Sequence, residues 1–111
     1  MLRPPLLKPS QMKKKRKECY EITRDGRLLI DISTPNGRAM RDEITAKAWS
    51  RDGGICGICK RYVCLLDCVR DHIRPCGMGG ATRDDSLDNI QPAHPDCNSL
   101  KGSRRDFYLV P

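Results

Sequence analysis

The pair Cys56-Gly-Ile-Cys59 constrains this chain more than any other feature. Two cysteines separated by two residues let both thiolates of one tight knuckle reach a single zinc ion, with sulfur-to-zinc distances of about 2.3 Å. A tetrahedral site needs two further ligands, and spacing leaves two sources open. His94-Pro-Asp-Cys97 repeats the spacing further along the chain, whereas Cys64 and Cys68 follow at once and would close a local C-x2-C-x4-C-x3-C set. A metal staple is expected because the core is lean. The chain has 111 residues, enough for one domain, but its 38% hydrophobic content includes seven cysteines and only 5% of residues are aromatic. Small domains this poor in apolar side chains rely on disulfides or metal. Leu6-Leu7 is the longest apolar run before Lys13, too short for a secretory signal. Nothing approaches the roughly 20 apolar residues that span a bilayer. The expected compartment is therefore the reducing cytoplasm, where cysteines at short spacing point to metal rather than to disulfides.

The net charge of +7 sits at one end. Residues 1–17 carry Arg3, Lys8, Lys13, Lys14, Lys15, Arg16 and Lys17 without an acid, which leaves 14 cations against 14 acids in the rest. This stretch, rich in Pro and Lys and without hydrophobic periodicity, reads as a basic flexible arm. Its cations, Lys13, Lys14, Lys15, Arg16 and Lys17 above all, suit phosphates of a nucleic acid. Residues 18–111 read as one domain. Cys19 to Ser33 forms two short apolar runs around Asp25-Gly26, the signature of a β-hairpin. Pro35-Asn36-Gly37 reads as a break. Met40, Ile44, Ala46, Ala48 and Trp49 then recur at near-helical spacing up to Asp52-Gly53-Gly54, where glycines supply a stop. Hairpin and helix thus occupy 18–52, and a metal-rich core occupies 53–105.

Within that core, Val69-Arg70-Asp71-His72-Ile73 reads as a short strand with a carboxylate beside an imidazole, followed by a loop containing Pro75, Gly77, Gly79 and Gly80. Asn89-Ile-Gln-Pro leads into His94-Pro-Asp-Cys-Asn-Ser-Leu-Lys101, where Pro95 suits a first helical turn and Asp96 its positive end. The order is strand, loop, strand, helix. Asp71 and the side-chain carbonyl of Asn98 could supply two oxygens to a hard divalent cation. Neighbours on a regular strand face opposite ways, so Asp71 and His72 serve one site only where the strand bends or ends.

From about Gly53 to Arg105 the sequence resembles the HNH endonucleases, also called ββα-metal or His-Me finger nucleases. The resemblance is carried by Asp71-His72-Ile-x-Pro, Gly79-Gly80, Asn89-Ile-Gln-Pro and Cys97-Asn98-x-x-Lys101, in that order. Zinc-containing members hold a structural zinc with two C-x2-C pairs whose last cysteine directly precedes the final motif residue, as Cys97 precedes Asn98. That adjacency favours the distal ligand set Cys56, Cys59, His94 and Cys97. Two departures stand out: His94 replaces a cysteine, and Asn98 replaces the usual final histidine, giving an H-N-N pattern similar to that of free-standing phage enzymes.

The resemblance implies a small α+β fold: a ββα-metal core stapled by zinc, preceded by a hairpin and a helix. It implies hydrolysis of DNA phosphodiester bonds. His72 would be the general base, Asp71 and Asn98 would hold one Mg²⁺ or Mn²⁺, and Asn89 would orient the loop and the base by bonding backbone across it. Lys101 and Arg104 at the last helix, with Arg105, would contact phosphates, and Arg74 and Arg83 are weaker candidates. No protein partner or membrane attachment is implied, and a monomer that mainly nicks is expected. The competing reading is a non-catalytic zinc module that binds nucleic acid through the arm and a Cys56, Cys59, Cys64, Cys68 site. Cys19 and Cys76 have no task in either reading.

Overall fold

The computed structural model describes residues 19–102. The expected contacts at Lys13 to Lys17 and at Arg104 lie outside the described residues. The architecture is small α+β, with two helices and two antiparallel two-stranded sheets.

Strands β1 (Tyr20–Ile22) and β2 (Leu28–Ile30) pair antiparallel, Tyr20 opposite Ile30. Gly26 takes φ 86 in the connecting turn, a left-handed conformation natural to glycine. β2 buries Leu28 and Ile30, while β1 stays exposed. The next element departs from the sequence reading: Pro35-Asn36-Gly37 does not break the chain but opens α1 (Pro35–Arg51). The hydroxyl of Thr34 caps that helix by accepting from the Gly37 N–H at 3.0 Å. Pro35 in the first turn loses nothing, since its missing N–H would have had no helical partner. Gly37 is required, because a Cβ would fall 1.8 Å from the Asp31 carbonyl oxygen. The helix ends at Asp52, followed by Gly53 and Gly54 at positive φ.

Helix α1 buries small residues, Gly37, Thr45 and Ala48, and so approaches the second sheet closely. Its last residue, Arg51, donates to the carbonyls of Leu87 at 3.0 Å and Ile90 at 2.7 Å. Trp49 donates its indole N–H to the Val63 carbonyl at 2.7 Å and packs on the cluster of Cys56, Ile58, Cys59, Val63, Ala93 and Cys97. Half of that cluster is cysteine, as the lean composition foreshadowed.

The second sheet pairs β3 (Val69–His72) with β4 (Ile90–Ala93) antiparallel, with Asp71 opposite Gln91 and His72 opposite Ile90. Between them lies a loop with two short 3-10 turns, Met78–Gly80 and Leu87–Asn89. Helix α2 (Pro95–Lys101) follows β4 directly, with His94 as its N-cap and Pro95 in its first turn. The strand, loop, strand and helix expected from the sequence are thus present in order.

Candidate active site and metal cluster

The knuckle around Cys56 begins at the bridge between Ile55 and Tyr62 and is closed by a bond from the Cys56 N–H to the Arg61 carbonyl at 2.8 Å. Lys60 takes φ 64 to complete the turn. The N–H groups of Ile58 and Cys59 point at the Cys56 sulfur at 3.4 and 3.5 Å. The ligand atoms of Cys56, Cys59, His94 and Cys97 all lie within 4.8 Å of one another. His94 Nδ1 is 3.3 Å from the Cys59 sulfur and 3.8 Å from that of Cys97. A zinc tetrahedron with bonds of about 2.0–2.3 Å spaces its ligands roughly 3.5–3.8 Å apart. His94 Nε2 lies 3.0 Å from the Tyr62 carbonyl, which can only accept, so the proton belongs on Nε2 and the Nδ1 lone pair faces the sulfurs.

Charge in the cluster is arranged unevenly. Burial opposes ionisation of Cys56, but hydrogen bonds at Cys59, His94 and Ile58 outweigh it and bring the thiol down to about 6. Burial, together with the Cys59 and Cys56 sulfurs alongside, pushes the Cys97 thiol up to about 12. A bound divalent cation would remove that mutual repulsion. Three thiolates and an imidazole suit zinc in chemistry as well as in spacing, and this set could hold it. Cys64 is exposed, and the Cys68 thiol turns to the Val69 carbonyl, so the local alternative set is not assembled.

The other candidate residues gather at the end of β3. Asp71 is buried, and its Oδ2 accepts from Gln91 Nε2 and from Lys101 Nζ, both at 2.7 Å. Lys101 also donates to the His72 carbonyl at 2.8 Å. Its side chain is only 2% exposed, so the surface phosphate contact expected of it is corrected to an inward ion pair. The acid opposite draws the ammonium in, because burying either charge alone would be costly. Asn98, one turn earlier on α2, borders the same cleft as Asp71, His72 and Lys101. His72 is the last residue of β3, and it and Asp71 both line this cleft.

Asn89 is fully buried and spans the loop. Its Oδ1 accepts from the Arg74 N–H, and its Nδ2 donates to the Asp84 carbonyl, each at 2.8 Å. Its own carbonyl accepts from the Ile73 N–H at 2.8 Å.

Three residues around the cleft were not singled out from the sequence. Gln91 holds Asp71 across the sheet, a role visible only once the register is known. Asp84 accepts from the Leu28 N–H at 3.0 Å. Asp85 accepts from the Ile30 N–H at 2.8 Å and lies 2.7 Å from His72 Nε2. Arg74 and Arg83, read as weak phosphate contacts, approach these acids: Arg74 reaches Asp84 at 3.0 Å and Arg83 reaches Asp85 at 3.2 Å. The acids' backbone partners on β2 lie some 55 residues away in the chain, a distance that leaves no local mark in the sequence. Cys76 also borders the cleft, and burial, with Asp85 nearby, raises its thiol.

No helix among the described residues is long and apolar enough to cross a membrane. No curated protein and no solved structure matches the chain. The HNH endonuclease family model does match residues 56–104, the stretch running from the first cluster cysteine through α2.

Proposed function

We propose that this protein is a metal-dependent DNA endonuclease in which His72 activates the attacking water. The observation that carries the reading is the convergence of Asp71, His72 and Asn98 on one cleft at the end of β3. An imidazole offers a ring nitrogen lone pair that can take a proton from water. The carboxylate of Asp71 and the amide oxygen of Asn98 are the donor types a hard cation prefers, and they would hold one Mg²⁺ or Mn²⁺. Such an ion supplies charge neutralisation at the scissile phosphate and at the departing 3′ oxygen. Gln91 and Lys101 fix the rotamer of Asp71 from Oδ2. Asn89 ties the loop to the strand bearing His72 and so acts as a positioning residue. Zinc in the Cys56, Cys59, His94, Cys97 cluster serves structure, because four protein ligands leave no open position for substrate.

The test is cleavage of supercoiled plasmid with Mg²⁺ or Mn²⁺. Nicked or linear product that disappears in His72→Ala is expected. DNA binding without cleavage at any metal concentration would instead make the domain a non-catalytic HNH module. With one active site per chain, nicking precedes linearisation.

A further inference from the structure

His72 has two ring nitrogens, and a general base needs a particular one free. We propose that Asp85 is the positioning residue for His72, a role that rests on His72 being the base: its carboxylate holds the proton on Nε2 and leaves Nδ1 as the acceptor.

The contact is short, 2.7 Å from Nε2 to Asp85 Oδ1, and Asp85 is completely buried. Its other oxygen accepts from the Ile30 N–H at 2.8 Å, and its own N–H donates to the Leu28 carbonyl at 2.8 Å. Asp85 is thus clamped on both sides by β2, a strand outside the span matched to the family. Arg70 Nη1 stands 3.4 Å from Oδ1 and Arg83 Nε 3.2 Å from Oδ2. Neither of these two nitrogens has a hydrogen-bond partner, so they act on Asp85 as charges rather than as competing donors. Burial raises the cost of the charge, but the His72 contact, the Ile30 amide and the two arginines outweigh it and keep the carboxyl below its ordinary range. An ionised carboxylate only accepts, so the imidazole must donate to it. A neutral ring donating from Nε2 has its lone pair on Nδ1. The hairpin thereby gains a task in catalysis: it fixes the carboxylate that fixes the base.

The test combines two readouts. With ¹⁵N-labelled histidine, long-range nitrogen–proton correlations report the tautomer directly, and His72→Ala identifies which of the two histidines gives which signals. The expected wild-type pattern is a protonated Nε2 and a bare Nδ1 on His72. Asp85→Asn should lower the single-turnover cleavage rate by on the order of 10² or more, because a carboxamide can stabilise the other tautomer. Substrate affinity and zinc content should stay unchanged. A wild-type His72 protonated on Nδ1, or an Asp85→Asn protein cleaving at the wild-type rate, would overturn the proposal. Should Asp85→Asn fail to fold, the wild-type tautomer decides alone. Should His72→Ala cleave normally, the base assignment falls, while the tautomer still reports on the Asp85 contact.

Discussion

Replacing Lys101 by Met separates a buried counter-charge from a DNA contact. The side chain is 2% exposed and Asp71 is 3% exposed, so the pair sits out of water. Met keeps the apolar stem and removes only the ammonium. Asp71 then retains the single bond from Gln91, and the His72 carbonyl loses its side-chain donor. Stripping one partner from a buried ion pair costs about 3–5 kcal/mol, against about 0.2–1 kcal/mol for an exposed pair. In a domain this size each kcal/mol moves Tm by about 4–8 °C, so the variant should melt roughly 12–40 °C lower. A divalent cation on Asp71 would no longer compete with the ammonium. At a hundredfold excess over its Kd it would restore about 2.7 kcal/mol, so Mg²⁺ should raise the Tm of the variant more than that of the wild type. Calorimetry of the zinc-loaded proteins with and without Mg²⁺ reads both effects. A Tm within a few degrees of wild type, together with weaker DNA binding and a salt slope smaller by about 1, would refute the inward ion pair and restore Lys101 as a phosphate contact.

Zinc content measured by mass spectrometry should fall from one ion per chain to none in a His94→Ala, Cys97→Ser double variant, and stay at one in Cys64→Ser and Cys68→Ser. Asp84 accepts from the Leu28 and Ser86 N–H groups at 3.0 and 3.1 Å and pairs with Arg74. Burial opposes its ionisation, but these contacts lower its pKa below the ordinary 3.8, so the folded state binds fewer protons than the unfolded one in that range. Its stabilisation is complete above the unfolded pKa and is lost as pH falls through the folded value. Urea unfolding at about pH 7 and about pH 3 should therefore show a smaller acid loss in Asp84→Asn than in wild type. A chain beginning at Glu18 lacks the arm, and if Lys13 to Lys17 meet phosphates, its log-log salt slope for DNA binding should be shallower by up to about 4.5. An unchanged slope in a filter-binding titration would remove the arm from the DNA interface.

What the sequence revealed and what it concealed divide along distance. The turn at Asp25-Gly26, the knuckle at Cys56 and Cys59, and the Pro95 helix start are decided by residues within a few positions of each other, and spacing exposes them. The start of α1 was misread because Pro35 and Gly37 each break helices in isolation. Thr34 beside them turns the same residues into an N-cap, a first-turn proline and a close approach. Asp84, Asp85, Gln91 and the inward turn of Lys101 were hidden for a different reason. Charged and amide side chains in a sequence look solvated, and only a fold that brings β2 and α2 against the end of β3 turns them into buried, fully engaged groups.

The metal cluster and the cleft are not independent, because β4 belongs to both. The Gly57 N–H in the knuckle donates to the Pro92 carbonyl at 2.8 Å, and the missing side chain of Gly57 leaves room for Gln91, whose Cδ lies 2.2 Å from where a Cβ would stand. Gln91 in turn holds Asp71. At the far end of β4, His94 passes directly into α2, where Cys97 and Asn98 are neighbours. One turn of helix therefore joins a cluster ligand to the proposed Asn98 metal ligand and to Lys101. The Asn98 N–H donates to the His94 carbonyl at 3.0 Å, so the backbone of one site is hydrogen-bonded to that of the other. A short helix of seven residues cannot hold its own position by propensity. What places α2 against β3 is the cluster at its first turn and the Lys101 to Asp71 pair at its last. Losing the cluster should consequently dismantle the cleft rather than merely soften the core.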